Sequence, residues 1–95
     1  MGMKDAYQQK IEAQLDEWKA DINKMKAKAD KANADVQLKY YKQIEDLQSK
    51  HKSAQEKLKE LKKSGKDAWE DLKVGVDLAW ESLGEAVNSA NSRFK

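Results

Sequence analysis

The 95-residue chain has no cysteine and no proline. Without cysteine it can form no disulfide and offers no thiolate as nucleophile or metal ligand. Without proline, nothing in the covalent chain forces a helix to stop. Glycine occurs four times and never in a phosphate-cradling cluster. There is one histidine, His51, and one arginine, Arg93. β-branched residues are few and nothing alternates with period two, so no strand is expected. No apolar run approaches the roughly 18 residues that span a bilayer. The opening "MGMKDAYQQK" lacks the apolar stretch of a secretory signal, and Ala6 stands where a myristoylation signal has Ser or Thr. These absences fit a cytoplasmic protein.

What remains is charge and helix former. Charged residues make up 38% of the chain, which is the composition of long helices and coiled coils. One helical domain over residues 1–95 is expected. The net charge of +2 is unevenly spread. Residues 34–66 hold nine lysines against five acids, whereas residues 67–95 hold three bases against six acids. A basic middle and an acidic end are expected to meet, within one chain or between chains.

From Ile11 the apolar positions run Leu15, Trp18, Ile22, Met25, Ala29, Ala32 and Val36. Steps of four and three mark a heptad seam. It continues through Tyr40, Ile44, Leu47, His51, Ala54, Leu58 and Leu61. Between Ala32 and Ile44 come three successive steps of four, which add one residue to the heptad frame. The favoured reading is one helix over residues 4–63, roughly 90 Å long at 1.5 Å per residue. The alternative places a tight turn at "KANAD", near Asn33.

A second break, at 64–67, is better marked. In "KKSGKDAWE", Gly65 suits a left-handed C′ position, Asp67 an N-cap, and Glu70 the third position of a capping box. An unbroken helix through Gly65 is the other reading, since the seam keeps phase there. The following segment, 68–92, repeats every eleven residues, or three turns. Trp69, Leu72, Val76, Trp80, Leu83 and Val87 form one bulky stripe, which Phe94 extends. Ala68, Gly75, Ala79, Ala86 and Ala90 form a small one beside it, predicting close helix approach.

The stretch "SGKDAWEDLKVGVDLAWESL" resembles a group of small bacterial coiled-coil proteins with no assigned activity, and the resemblance extends over about residues 27–94. It implies a helical coiled-coil fold and a cytoplasmic location, and it carries no activity, cofactor or catalytic residue. The eleven-residue unit is more loosely similar to apolipoprotein and late-embryogenesis-abundant repeats.

No residue qualifies as catalytic, cofactor-binding or metal-ligating. Positions three and four from His51 are Leu47, Gln48, Ala54 and Gln55, so no carboxylate joins it in an acid–base or metal pair. His51 is expected to set register as a polar seam residue, with weak pH sensing as the alternative. The middle lysines interleave with Glu45, Asp46, Glu56 and Glu60, which argues against nucleic-acid binding. The polar face of the last helix carries Glu70, Asp71, Asp77, Glu81 and Glu85 against Lys73, which argues against an anionic membrane surface.

The sequence therefore predicts an all-α protein: a long coiled-coil helix and a shorter amphipathic helix, self-associating because one long helix cannot bury its seam alone. A monomeric three-helix bundle is the alternative. The function expected is a non-enzymatic homo-oligomeric scaffold or protein-interaction module, with itself or another helical protein as partner. An amphipathic lipid-surface or stress-protective protein is the second class. The packing face comprises Ile11, Leu15, Trp18, Ile22, Met25, Tyr40, Ile44, Leu47, Leu58, Leu61, Trp69, Leu72, Val76, Trp80, Leu83 and Val87.

Overall fold

The helix that begins at Met3 stops at Asp30, inside the span expected to be continuous. In the computed structural model, which describes residues 2–93, three helices follow one another: α1 (Met3–Asp30), α2 (Ala34–Lys63) and α3 (Trp69–Arg93). α1 and α2 are antiparallel, as are α2 and α3, so α1 and α3 run parallel. The longest dimension is 51 Å. A continuous helix over residues 4–63 would need about 90 Å.

Asn33 explains the break. Its side-chain oxygen accepts the Val36 N–H at 3.1 Å, and its carbonyl accepts the first backbone bond of α2, from Gln37 at 2.8 Å. Asparagine offers the backbone this alternative to helix and is among the best N-cap residues. At the end of α1, the Lys31 and Ala32 N–H groups close onto Lys28 and Ala29 carbonyls in tight i−3 bonds. The Gln37 amide donates to the Asp30 carbonyl at 3.1 Å, and the Tyr41 hydroxyl donates to the Asp30 carboxylate.

The second turn departs from expectation in its chemistry. Gly65 is not left-handed, because no glycine has positive φ. Instead Ser64 turns extended (φ −73°, ψ 155°), and its hydroxyl donates to the Leu61 carbonyl at 2.5 Å. Lys4 reaches across from α1 and donates to the carbonyls of Lys62 (3.2 Å) and Ser64 (2.5 Å). An ammonium on the last carbonyls of a helix meets the negative end of its dipole. No Asp67 capping bond occurs among the described residues. α3 begins one residue later than expected, with its first backbone bond running from Leu72 to Ala68.

Folding back lets the two halves of the seam bury each other. Ile11, Leu15, Trp18, Ile22, Met25 and Ala29 from α1 meet Ile44, Leu47, His51, Ala54, Leu58 and Leu61 from α2. α3 adds Val76, Leu83, Val87 and Ala90, all buried. Tyr40, Trp69, Leu72 and Trp80 are half-buried against this core. Phe94 lies outside the described residues. Folded back at Asn33, the two halves of the seam cover each other within one chain.

The two stripes of α3 sort onto different neighbours. Ala79, Ala86 and Ala90 line the grooves shared with α2, beside Leu47 and Lys50. Close approach, however, occurs at Gly84 on the other flank: a Cβ there would sit 3.1 Å from Trp18 Cζ2. Gly75, placed in the small stripe, has open space around it, and Ala68 is exposed. The two helical glycines should therefore respond differently. Gly75→Ala is expected to stabilise the fold by about 1 kcal/mol, the helix-propensity difference. For Gly84→Ala that gain is offset by pressure on the Trp18 ring. Paired thermal melts check this, with an increase of about 4–8 °C for Gly75→Ala and none for Gly84→Ala. Equal increases would refute the Gly84–Trp18 contact.

Candidate functional site

The only histidine is part of the core. His51 is 7% exposed, and its Nε2–H donates to the Leu15 carbonyl at 2.8 Å. A side chain on α2 thus reaches a main-chain carbonyl on α1 and locks the register of the two helices. Among the described residues, no group of three His, Asp or Glu side chains converges as a metal site. A groove of about 550 Å³, open to solvent, lies between α1 and α2 and mixes Glu12, Asp16 and Glu56 with Lys52, Lys59 and Lys62. The Lys62–Glu12 ion pair joins its two walls. Leu15 and Leu58 line it as well, but walls of mixed sign in a groove this open give no single field and little enclosure to hold a small ligand.

Between α1 and α3 the contact is aromatic. Trp18 and Trp80 pack with ring centroids 5.7 Å apart and planes tilted by 41°. Tyr7 and Trp69 repeat the arrangement nearer the α1 N-terminus, at 6.1 Å and 44°. Tilted pairs at this separation suit the ring quadrupoles. Lys10 lies 5.9 Å over Trp80, and Lys73 lies 5.4 Å over Tyr7. The Tyr7 hydroxyl donates to Asp77 Oδ1 at 2.5 Å. Burial, the hydrogen bond to Asp77 and the negative charge of that carboxylate, in that order, hold the Tyr7 phenol well above its ordinary pKa. Tyr41 is pushed up as well, chiefly by its hydrogen bond to Asp30.

The Trp80 Nε1–H is buried without a protein acceptor. Trp69 and Trp80, expected to be packing anchors, are only half-buried, whereas Trp18 is 8% exposed. α3 buries Val76, Leu83 and Val87 against the other two helices, and its opposite face carries no neighbour among the described residues.

That uncovered face carries the feature the periodicity missed. Val74 and Leu78 lie one turn apart on α3, 62% and 63% exposed. Both fall outside the eleven-residue stripes, among residues read as the polar face. Their signal was present as apolar side chains between Glu70, Asp71, Glu81 and Glu85. Those four acids are exposed. Lys73, the base nearest the ridge within α3, is turned toward Tyr7 and lies 3.9 Å from Asp77. On the α2 side, Leu78 shares a shallow groove with Lys50 and Lys57. The basic α2 and acidic α3 do pack together, yet no ion pair joins them among the described residues. Apolar contacts hold that interface, and the charges act at longer range.

No helix of the described residues is long and apolar enough to cross a membrane. No family model, no curated protein and no solved structure matches the chain.

Proposed function

We propose that the chain is a non-enzymatic protein-interaction module that presents the outer face of α3 to a basic helix of another protein. The observation that carries this reading is the Val74–Leu78 ridge, apolar, exposed and set among four acids. A partner helix with two apolar anchors one turn apart and Lys or Arg on either side would satisfy both the ridge and the charge. Lys50 and Lys57 border one flank, so the partner approaches from the opposite, acidic side.

The same acids count against an anionic bilayer, because a membrane-seeking helix places bases beside its apolar face. Lysines interleaved with acids on α2 count against a polyanion.

The test is an amide chemical-shift titration with two synthetic helical peptides, one of Leu and Lys, the other of Leu and Glu. The Leu/Lys peptide is expected to perturb α3 between residues 70 and 85, and Leu78→Ser to abolish the effect while leaving the melt unchanged. The reading fails if neither peptide perturbs α3, or if both do so equally. Co-sedimentation with anionic vesicles that Leu78→Ser weakens would transfer support to the lipid class.

A further inference from the structure

We propose that the turn at residues 31–33 is a hinge across which α1 can be exchanged between two copies of this chain, α1 and α2 then fusing into one continuous helix. The ridge on α3 plays no part in this exchange, so it stands apart from the function proposed above.

The apolar seam does not stop at the turn. Ala29 is buried, and Ala32, Val36 and Tyr40 are half-buried and keep the seam's spacing from one helix into the next. A stripe that continues in phase through a turn is available to a straight helix as well as to a bent chain. One extra residue in the frame is the only irregularity, and a coiled coil absorbs it by local unwinding.

Both residues that flank Ala32 in the turn already have a φ a helix accepts. Lys31 has φ −92° and ψ −7°, in the right-handed region. Asn33 has φ −69° with ψ 164°, so its φ suits a helix and its ψ alone must rotate. No residue of the described chain has positive φ. There is no glycine or proline between residues 3 and 64, and alanine and lysine are strong helix formers.

Local side-chain bonds help to hold the turn closed: Asn33 to Val36, Gln37 to the Asp30 carbonyl, and Tyr41 to the Asp30 carboxylate. All are exposed and all lie within twelve residues of one another. Opening removes them and in return extends the i−4 ladder through residues 31–36. Every core contact of α1, including Trp18 on Trp80 and His51 on the Leu15 carbonyl, is recovered from the second copy. Exchange of an identical element in this way is a route to a dimer with no new interface to evolve. The other turn is unlike this one. It contains Gly65 and an extended Ser64, and α2 and α3 stay together in both states.

The full chain is tested by refolding from denaturant across a concentration series, followed by sedimentation equilibrium and small-angle scattering. At high concentration a species of twice the chain mass is expected, with a maximum dimension of at least about 90 Å in place of 51 Å. Asn33→Ala removes the cap and improves helix propensity at two hinges per dimer, so dimerisation should tighten on the order of a hundredfold. Ala34→Pro should hold the chain monomeric. Proline is accepted at the first position of α2, where the preceding residue is already extended, but is barred from a helix interior. Asn33→Gly is the milder companion, since glycine is tolerated as a cap and disfavoured within a helix; it too should suppress the dimer. The proposal is overturned if Asn33→Ala refolds only as a monomer. It is overturned equally if a dimer forms and both Ala34→Pro and Asn33→Gly leave it intact, since the copies would then meet at their surfaces.

Discussion

Leu83→Asp is expected to unfold the bundle. Leu83 is fully buried. A carboxylate taken out of water there costs several kcal/mol. The whole stability of a domain this size is about 5–14 kcal/mol at ordinary values per residue. Glu81→Ala is the control. Glu81 is exposed, with no ion pair among the described residues, and such changes stay within about 0.5 kcal/mol. Urea unfolding followed by circular dichroism measures both. Equal midpoints for the two variants would show that α3 is turned the wrong way round.

Trp18→Ala should have the next largest effect, a loss of about 3–5 kcal/mol for an aromatic removed from a packed core. Trp18 is the most buried of the three tryptophans. Its ring packs against Trp80 and comes close to Gly84, one turn further along α3. Trp69→Ala should cost less, because that ring is half-buried and its ring partner is Tyr7. The cavity left by Trp18→Ala also removes the crowding at Gly84. Gly84→Ala, neutral or harmful in the parent, should therefore recover about 1 kcal/mol in the Trp18→Ala background. That non-additivity is the mark of two residues in contact. Strictly additive melts would refute the contact, and equal losses for Trp18→Ala and Trp69→Ala would refute the difference in burial.

Much of the core was legible from spacing. Steps of three and four from Ile11 to Met25 and from Ile44 to Leu61 name residues that the structure buries, His51 among them. Val76, Leu83 and Val87 follow from the eleven-residue step. Helical periodicity is a local property of the chain, so it needs no knowledge of the partner surface. Spacing does not say how much of a residue's surface the neighbours reach. Trp69 and Trp80 lie on the bulky stripe as Leu83 does, yet they sit on its edge toward α1 and stay half-exposed.

The glycines illustrate the same limit. Gly65 had the composition of a left-handed stop, but Ser64 ends α2 in an extended conformation, helped by Lys4 from the far end of the chain. Lys4 and Ser64 are sixty residues apart, so no window of sequence contains that cap. Gly84 is crowded by a ring on another helix, and Gly75, which has a better position in the small stripe, is not.

The sequence by itself determined that this protein is helical, which residues line its apolar seams, and that its charge is divided between a basic middle and an acidic end. The tertiary structure alone decided that the seam folds on itself at Asn33. Both a straight and a bent chain satisfy the local preferences there: the cap at Asn33 favours the turn, and the alanines and lysines around it favour the helix. The balance is tipped by long-range burial, since bending lets Ile11–Ala29 and Ile44–Leu61 exclude water from each other within one chain. The same packing leaves Val74 and Leu78 on the outside, because a third helix laid against two others has one face that neither can cover.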